Sequence, residues 1–118
     1  MNTESIVIEN GQVIIRLAAK NIWLSQHQLA DLFGVFTNKI NANIRAILKS
    51  EVLDESKVCR RRANGKDSFI TVYNLEMITA LAFRIKSKKT QQYRRWIVRQ
   101  ISKPVIIWDS SGIDSTLN

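Results

Sequence analysis

The sequence predicts an α+β domain, mainly helical, and three stretches carry that expectation. Residues 6–17, IVIENGQVIIRL, are two runs of β-forming residues split by Asn10-Gly11. Residues 28–44, QLADLFGVFTNKINANI, set Gly34 between two segments with helical spacing. Residues 57–73, KVCRRRANGKDSFITVY, repeat the hairpin pattern around Asn64-Gly65 with a strongly basic first half. At 118 residues the chain has the length of one domain with a single core.

Asn-Gly is a strong hairpin signal because both residues of the tight turn need positive φ, which places strands near 5–9 and 12–17. In WLSQHQLADLF, Ser25 is the expected N-cap and Gln28, three residues on, completes a capping box. Leu29, Leu32 and Phe33 then share one face, so a first helix is expected over about 26–33. A second start signal stands at Thr37. Ile40, Ile44, Ile47 and Leu48 follow at i, i+4, i+7 and i+8, and a second helix is expected over about 37–50. A glycine inside a helix costs about 1 kcal/mol relative to alanine, so Gly34 is read as the turn between two helices and not as a tolerated defect.

Two short helices across a glycine turn form a helix-turn-helix, whose second helix presents its outer face to the major groove of DNA. Leu29, Ala30, Gly34, Val35 and Ile40 fall where such motifs carry their apolar residues, alanine and turn glycine. Asn43 departs from the pattern where a second apolar residue is usual, and Ile44 and Ile47 are expected to take over its packing. The alternative is a pair of core helices with no DNA role.

A two-residue turn at Asn64-Gly65 would put Arg62 opposite Asp67 and Cys59 opposite Ile70. A basic hairpin after a helix-turn-helix is a wing, with Arg61, Arg62 and Lys66 at its tip. NLEMITALAFRIKS follows, capped by Asn74 and apolar nearly all round, which marks a central core helix. KKTQQYRRWIVRQISK carries Tyr93, Trp96, Ile97 and Ile101 on one face and Lys88, Gln92, Arg95, Arg99 and Lys103 on another, and Pro104 ends it. The expected organisation is one winged helix-turn-helix domain over 1–104, with an N-terminal β-hairpin and two further C-terminal helices. Residues 105–118 are expected to be a tail in which Val105–Trp108 dock and the rest is partly mobile.

Charge points toward a polyanion. The chain has 18 Lys+Arg against 10 Asp+Glu, a net charge of +8. Residues 74–103 hold eight basic residues against Glu76 alone, and residues 35–73 hold eight against four acidic ones. Such a gradient suits nucleic acid, and less often an acidic protein or a membrane surface. The longest apolar runs are too short to span a bilayer. MNTESIVIENG lacks the features of a secretory signal, so a cytoplasmic setting is expected.

Catalytic chemistry lacks its parts. His27 is the only histidine, Cys59 the only cysteine, and the carboxylates are scattered. No phosphate-binding glycine loop and no metal-ligand cluster is present in the sequence. No enzyme, cofactor, metal or small-molecule substrate is expected. The outer face of the second helix offers Asn38, Asn41, Ala42, Arg45 and Lys49, with Thr37 and Lys39 in its first turn. Asparagine pairs bidentately with adenine and arginine with guanine, whereas lysine more often meets phosphate. Gln26 and Gln28, at the start of the first helix, are further candidates for phosphate, and Lys88, Arg95 and Arg99 form a candidate secondary basic face. Trp23, Trp96 and Trp108 sit at core spacing, unlike the exposed aromatics of single-stranded RNA binders.

Three of these stretches, WLSQHQLADLFGV, VLDESKVCR and YNLEMITALAFRIKS followed by QYRRW, resemble the RhuM-like family, bacterial and mobile-element proteins assigned to DNA binding and named for virulence-associated members. The resemblance spans about residues 22–97. The family in turn is similar to the N-terminal modules of phage antirepressor-type proteins, which implies regulation of transcription or of mobile-element genes. Many members carry arginine and glutamine where this chain has Thr37 and Asn38, so the resemblance implies no particular DNA sequence. The expected partner is double-stranded DNA, with a second copy of the chain as a further candidate. The alternative function is an antirepressor-type module that captures an acidic protein on the same basic face.

Overall fold

Asn10 and Gly11 both take positive φ, 52° and 74°, the geometry of the tight hairpin turn. The computed structural model, which describes residues 5–108 and 114–117, pairs β1 (Ile6–Glu9) antiparallel with β2 (Gln12–Ile15), Ile6 opposite Ile15 and Glu9 opposite Gln12. Ile6 and Ile8 are buried while Val7 and Glu9 are not, so the period-2 pattern turns one face of the hairpin into the core.

α1 (Gln26–Phe33) opens with the expected capping box. Ser25 Oγ accepts from the Gln28 amide at 3.2 Å, and Gln28 Oε1 accepts from the Ser25 amide at 2.9 Å. Gly34 ends the helix in the left-handed conformation, φ 67° and ψ 39°. A β-carbon there would meet only Lys89 Cδ, at 3.9 Å, so the glycine is required by backbone conformation and not by space. Gly34→Ala is therefore expected to destabilise the fold by about 1 kcal/mol, a drop of about 4 °C in Tm, with Gly34→Asn losing less because asparagine tolerates this region. Thermal melting of the three proteins checks the order, and a loss of several kcal/mol in the alanine variant would show that packing was disturbed instead.

α2 (Thr37–Lys49) matches the helix expected over about 37–50. Phe36 is the N-cap, makes no side-chain cap bond, and Thr37 is the first helical residue. The reason lies in the flanking apolar residues. Val35, just before the cap, packs against the core, and Ile40, fourth in the helix, is fully buried; this is the arrangement of a hydrophobic staple, which fixes where the chain turns into the helix. Ile40, Ile44 and Ile47 form the buried stripe.

After a single turn of helix, α3 (Glu55–Val58), capped by Asp54, come β3 (Cys59–Ala63) and β4 (Phe69–Tyr73). Their register corrects the sequence reading. Arg62 lies opposite Ile70 and Cys59 opposite Tyr73, so Asp67 does not face Arg62. The connection is Asn64–Ser68, closed by the Asn64 amide on the Ser68 carbonyl at 2.9 Å and by the Ser68 hydroxyl on the Asn64 carbonyl. Gly65 has positive φ but Asn64 does not, so the two-residue turn is not formed. A pairing outside the hairpin decides this: Leu24 and Tyr73 exchange backbone bonds of 2.9 and 2.8 Å, and Val72 and Tyr73 are buried. A slip of three residues would reverse which side chains of β4 face the core, and the buried face overrides the turn preference.

α4 (Leu75–Ala82) is capped by Asn74, which accepts from the Met77 amide, and buries Met77, Ile78, Leu81 and Ala82. α5 (Lys88–Ser102) opens with a second capping box between Ser87 and Thr90. The junction is tied by polar groups. Ser87 Oγ donates to the Phe33 carbonyl at 2.7 Å, and Arg94 Nη1 donates to the carbonyls of Ala82 (2.7 Å) and Ile85 (3.2 Å). A guanidinium at the C-terminal end of α4 both satisfies free carbonyls and complements the helix dipole.

α5 packs on β1, β2, α1 and α4. The core is thus a layer of helices α1, α2, α4 and α5 covered by the N-terminal hairpin, with β3–β4 joined at the α1 end through Leu24. No helix among the described residues is long and apolar enough to cross a membrane. Beyond Pro104 the backbone forms β5 (Val105–Trp108) paired antiparallel with β6 (Asp114–Leu117), where the sequence predicts a tail. Residues 109–113 and 118, and the expected docking of the Val105–Trp108 side chains, lie outside what the structure describes.

Candidate nucleic-acid interface

With Ile40, Ile44 and Ile47 buried, the opposite face of α2 turns outward. Asn38, Ala42, Arg45 and Lys49 recur at i, i+4, i+7 and i+11, and all four are exposed, as is Lys39. The stripe runs from an amide through a methyl to two cations. Ala42 at its middle leaves room for another surface to approach the helix backbone, flanked by side chains that carry hydrogen-bonding groups. Thr37 is half-buried.

Asn41 is placed differently from the sequence expectation. It is half-buried, and its Nδ2 donates to Gln26 Oε1 at 3.3 Å, while Gln26 Nε2 donates to the Tyr73 hydroxyl at 3.4 Å. Both ends of the Gln26 amide are therefore occupied. The chain Asn41–Gln26–Tyr73 ties α2, the start of α1 and the end of β4 into one unit, and burial holds the Tyr73 hydroxyl above its usual pKa against the opposing effect of the Gln26 bond. Gln28, although exposed, uses its carbonyl oxygen in the capping box. Asn43, which breaks the motif pattern, is accounted for by bonds on both sides: its Nδ2 donates to the Lys39 carbonyl at 2.8 Å and its Oδ1 accepts from Arg84 Nε at 3.3 Å.

In β3 the three arginines divide by face. Arg60 lies over the Trp23 ring, 4.1 Å from its centroid, and Arg62 donates to the Trp23 carbonyl at 3.4 Å. Both lash the hairpin to the segment before α1. Arg61 points to the other face and lies 4.7 Å over the exposed Phe69 ring. A cation over an aromatic face is attracted by the ring quadrupole, which orients the Arg61 guanidinium while leaving it exposed. Lys66 is exposed in the Asn64–Ser68 connection.

Sequence reading missed Arg60, because its partner Trp23 lies 37 positions earlier in the chain. It also missed Phe36. The available signal was the five-residue spacing of Val35 and Ile40, which brackets Phe36 as the cap of a stapled helix.

Cys59 is half-buried and its thiol is pushed above its usual pKa, first by desolvation and then by the Glu55 carboxylate. It stays protonated at neutral pH. Lys88, Arg95 and Arg99 are exposed on α5, together with Val98 and Ile101. α5 packs on β1, β2, α1 and α4, and its start adjoins the Gly34 turn, where Ser87 Oγ donates to the Phe33 carbonyl at 2.7 Å.

Comparison with protein-family models, curated proteins and solved structures finds no match to the chain.

Proposed function

We infer that the chain is a winged helix-turn-helix protein that binds double-stranded DNA in a sequence-specific manner, with α2 in the major groove and the β3–β4 hairpin as the wing beside it. The observation that carries this reading is the exposed stripe Asn38, Ala42, Arg45 and Lys49 on a helix pinned by its buried isoleucines directly after the Gly34 turn. The recognition helix of such motifs contacts base edges from its N-terminal part. Asn38 would meet adenine, Arg45 guanine and Lys49 phosphate. Arg61 and Lys66 on the wing would meet the flanking backbone, while Arg62, Gln26 and Asn41 hold the elements in register. The resemblance to the RhuM-like family favours a regulator of transcription in a bacterium or one of its mobile elements.

Selection of bound sequences from a random duplex library tests the reading, and the symmetry of the selected motif reports whether two copies bind together. Asn38→Ala and Arg45→Ala are each expected to reduce preference for the selected site over random duplex by about 1 to 3 kcal/mol. Asn41→Ala is expected to act on stability instead. If both surface variants kept full discrimination, α2 would not be the reading helix.

A second reading is favoured by one feature, the mixture of Arg95, Val98, Arg99 and Ile101 on the exposed part of α5. This combination of charge and apolar surface suits an acidic protein partner, as in antirepressor-type modules. A chain acting only in this way would give no mobility shift with mixed duplex DNA at low salt.

A further inference from the structure

Phe36 exposes 84% of its surface, more than any other large apolar side chain among the described residues. Neither packing nor capping accounts for it. Val35 and Ile40 supply the apolar contact at the start of α2, and the aromatic contacts of the core run Phe33–Tyr93–Trp96. At the N-cap, serine, threonine, aspartate or asparagine would bond the first free amides, whereas Phe36 makes no such bond. Two local rules are thus broken at one residue, which is where function is to be sought.

The residue stands at the head of the exposed stripe, next to Thr37, Asn38 and Lys39. Resting on the major-groove reading of α2, a phenyl ring at this end of the helix reaches base edges with no hydrogen-bonding group to offer. The apolar group that unmodified bases present in the major groove is the 5-methyl of thymine. We propose that Phe36 is a specificity-determining residue that selects thymine by packing on its methyl group, adjoining the bases read by Asn38 and Arg45. The basic charge around it holds the duplex, and the ring discriminates among the sequences held.

The test uses duplexes enriched from the random library, prepared once with thymine and once with every thymine replaced by uracil. The replacement removes methyl groups and keeps every pairing and hydrogen-bonding group. The wild-type chain is expected to bind the uracil duplex about fourfold more weakly for each methyl contacted. Phe36→Ser supplies a better helix cap, so it is expected to melt no lower than the wild type. It should bind the thymine duplex about as weakly as the wild type binds the uracil one, and be indifferent to the exchange. Equal wild-type binding to the two duplexes overturns the proposal, as does a Phe36→Ser variant that still distinguishes them. Absence of binding to every duplex at low salt overturns the DNA-binding reading together with this inference, whereas tight binding that ignores the methyl groups overturns this inference alone.

Discussion

Replacing Tyr93 with alanine is expected to destabilise the protein by about 3 to 5 kcal/mol, the cost of emptying a filled aromatic site in a packed core. Tyr93 is fully buried. Its ring meets Phe33 edge-on, with centroids 5.8 Å apart and planes at 87°, and lies 5.7 Å from that of Trp96. Its hydroxyl pairs with Thr79 Oγ1 at 2.8 Å, and burial keeps the phenol above its ordinary pKa despite that bond. One side chain thus joins α5, α4 and the last residue of α1. Against a typical total of about 5 to 15 kcal/mol, such a loss removes a large share of the stability. Tyr93→Phe keeps the ring and loses the hydroxyl bond, so it is expected to cost about 1 kcal/mol. Urea denaturation of both variants measures the difference. A cost below 1 kcal/mol for the alanine variant would contradict the packing of α5 onto α1 and α4 described above. The functional consequence follows from position. Phe33 precedes the Gly34 turn, and its carbonyl also accepts the Ser87 hydroxyl, so loosening this contact loosens the turn that orients α2.

Much of this architecture is legible in the sequence because it is set by neighbours along the chain. The Asn10-Gly11 turn, the Ser25–Gln28 capping box, the Gly34 terminus and the isoleucine stripe of α2 each depend on residues within about two helical turns. The Asn74 cap of α4 is of the same kind. What escapes is set from a distance. The register of β3 and β4 follows from the backbone pairing of Leu24 with Tyr73, 49 positions apart by their numbers, and the turn preference of Asn64-Gly65 yields to it. The roles of the candidate site residues divide in the same way. Asn38, Arg45 and Lys49 could be placed on an outer face from helical period alone. Asn41 and Arg62 carry the right chemistry for DNA, yet Gln26 engages the first and the Trp23 carbonyl the second. No pattern in the chain announces either partner. Arg94 is a further case, since its carbonyl acceptors at Ala82 and Ile85 become visible only once α4 and α5 are folded against each other.

The salt dependence of duplex binding tests the central claim most directly, because a protein held by phosphate contacts releases counterions in proportion to the phosphates it neutralises. With ~5 phosphates met by the α2 and wing cations, log K against log[salt] is expected to slope by about −4 to −5, which is a loss of about 250- to 1,000-fold in affinity between 50 and 200 mM salt. Fluorescence anisotropy on a labelled duplex reads it. The Arg61→Ala, Lys66→Ala double variant is expected to weaken binding to every sequence alike and to make the slope shallower by about 1 to 2 units, whereas Arg95→Ala with Arg99→Ala is expected to leave it unchanged. A slope near zero on duplex DNA would contradict the account outright. A slope that flattens with the α5 pair and not with the wing pair would show that DNA docks on the late helix, and that α2 is not the element in the groove.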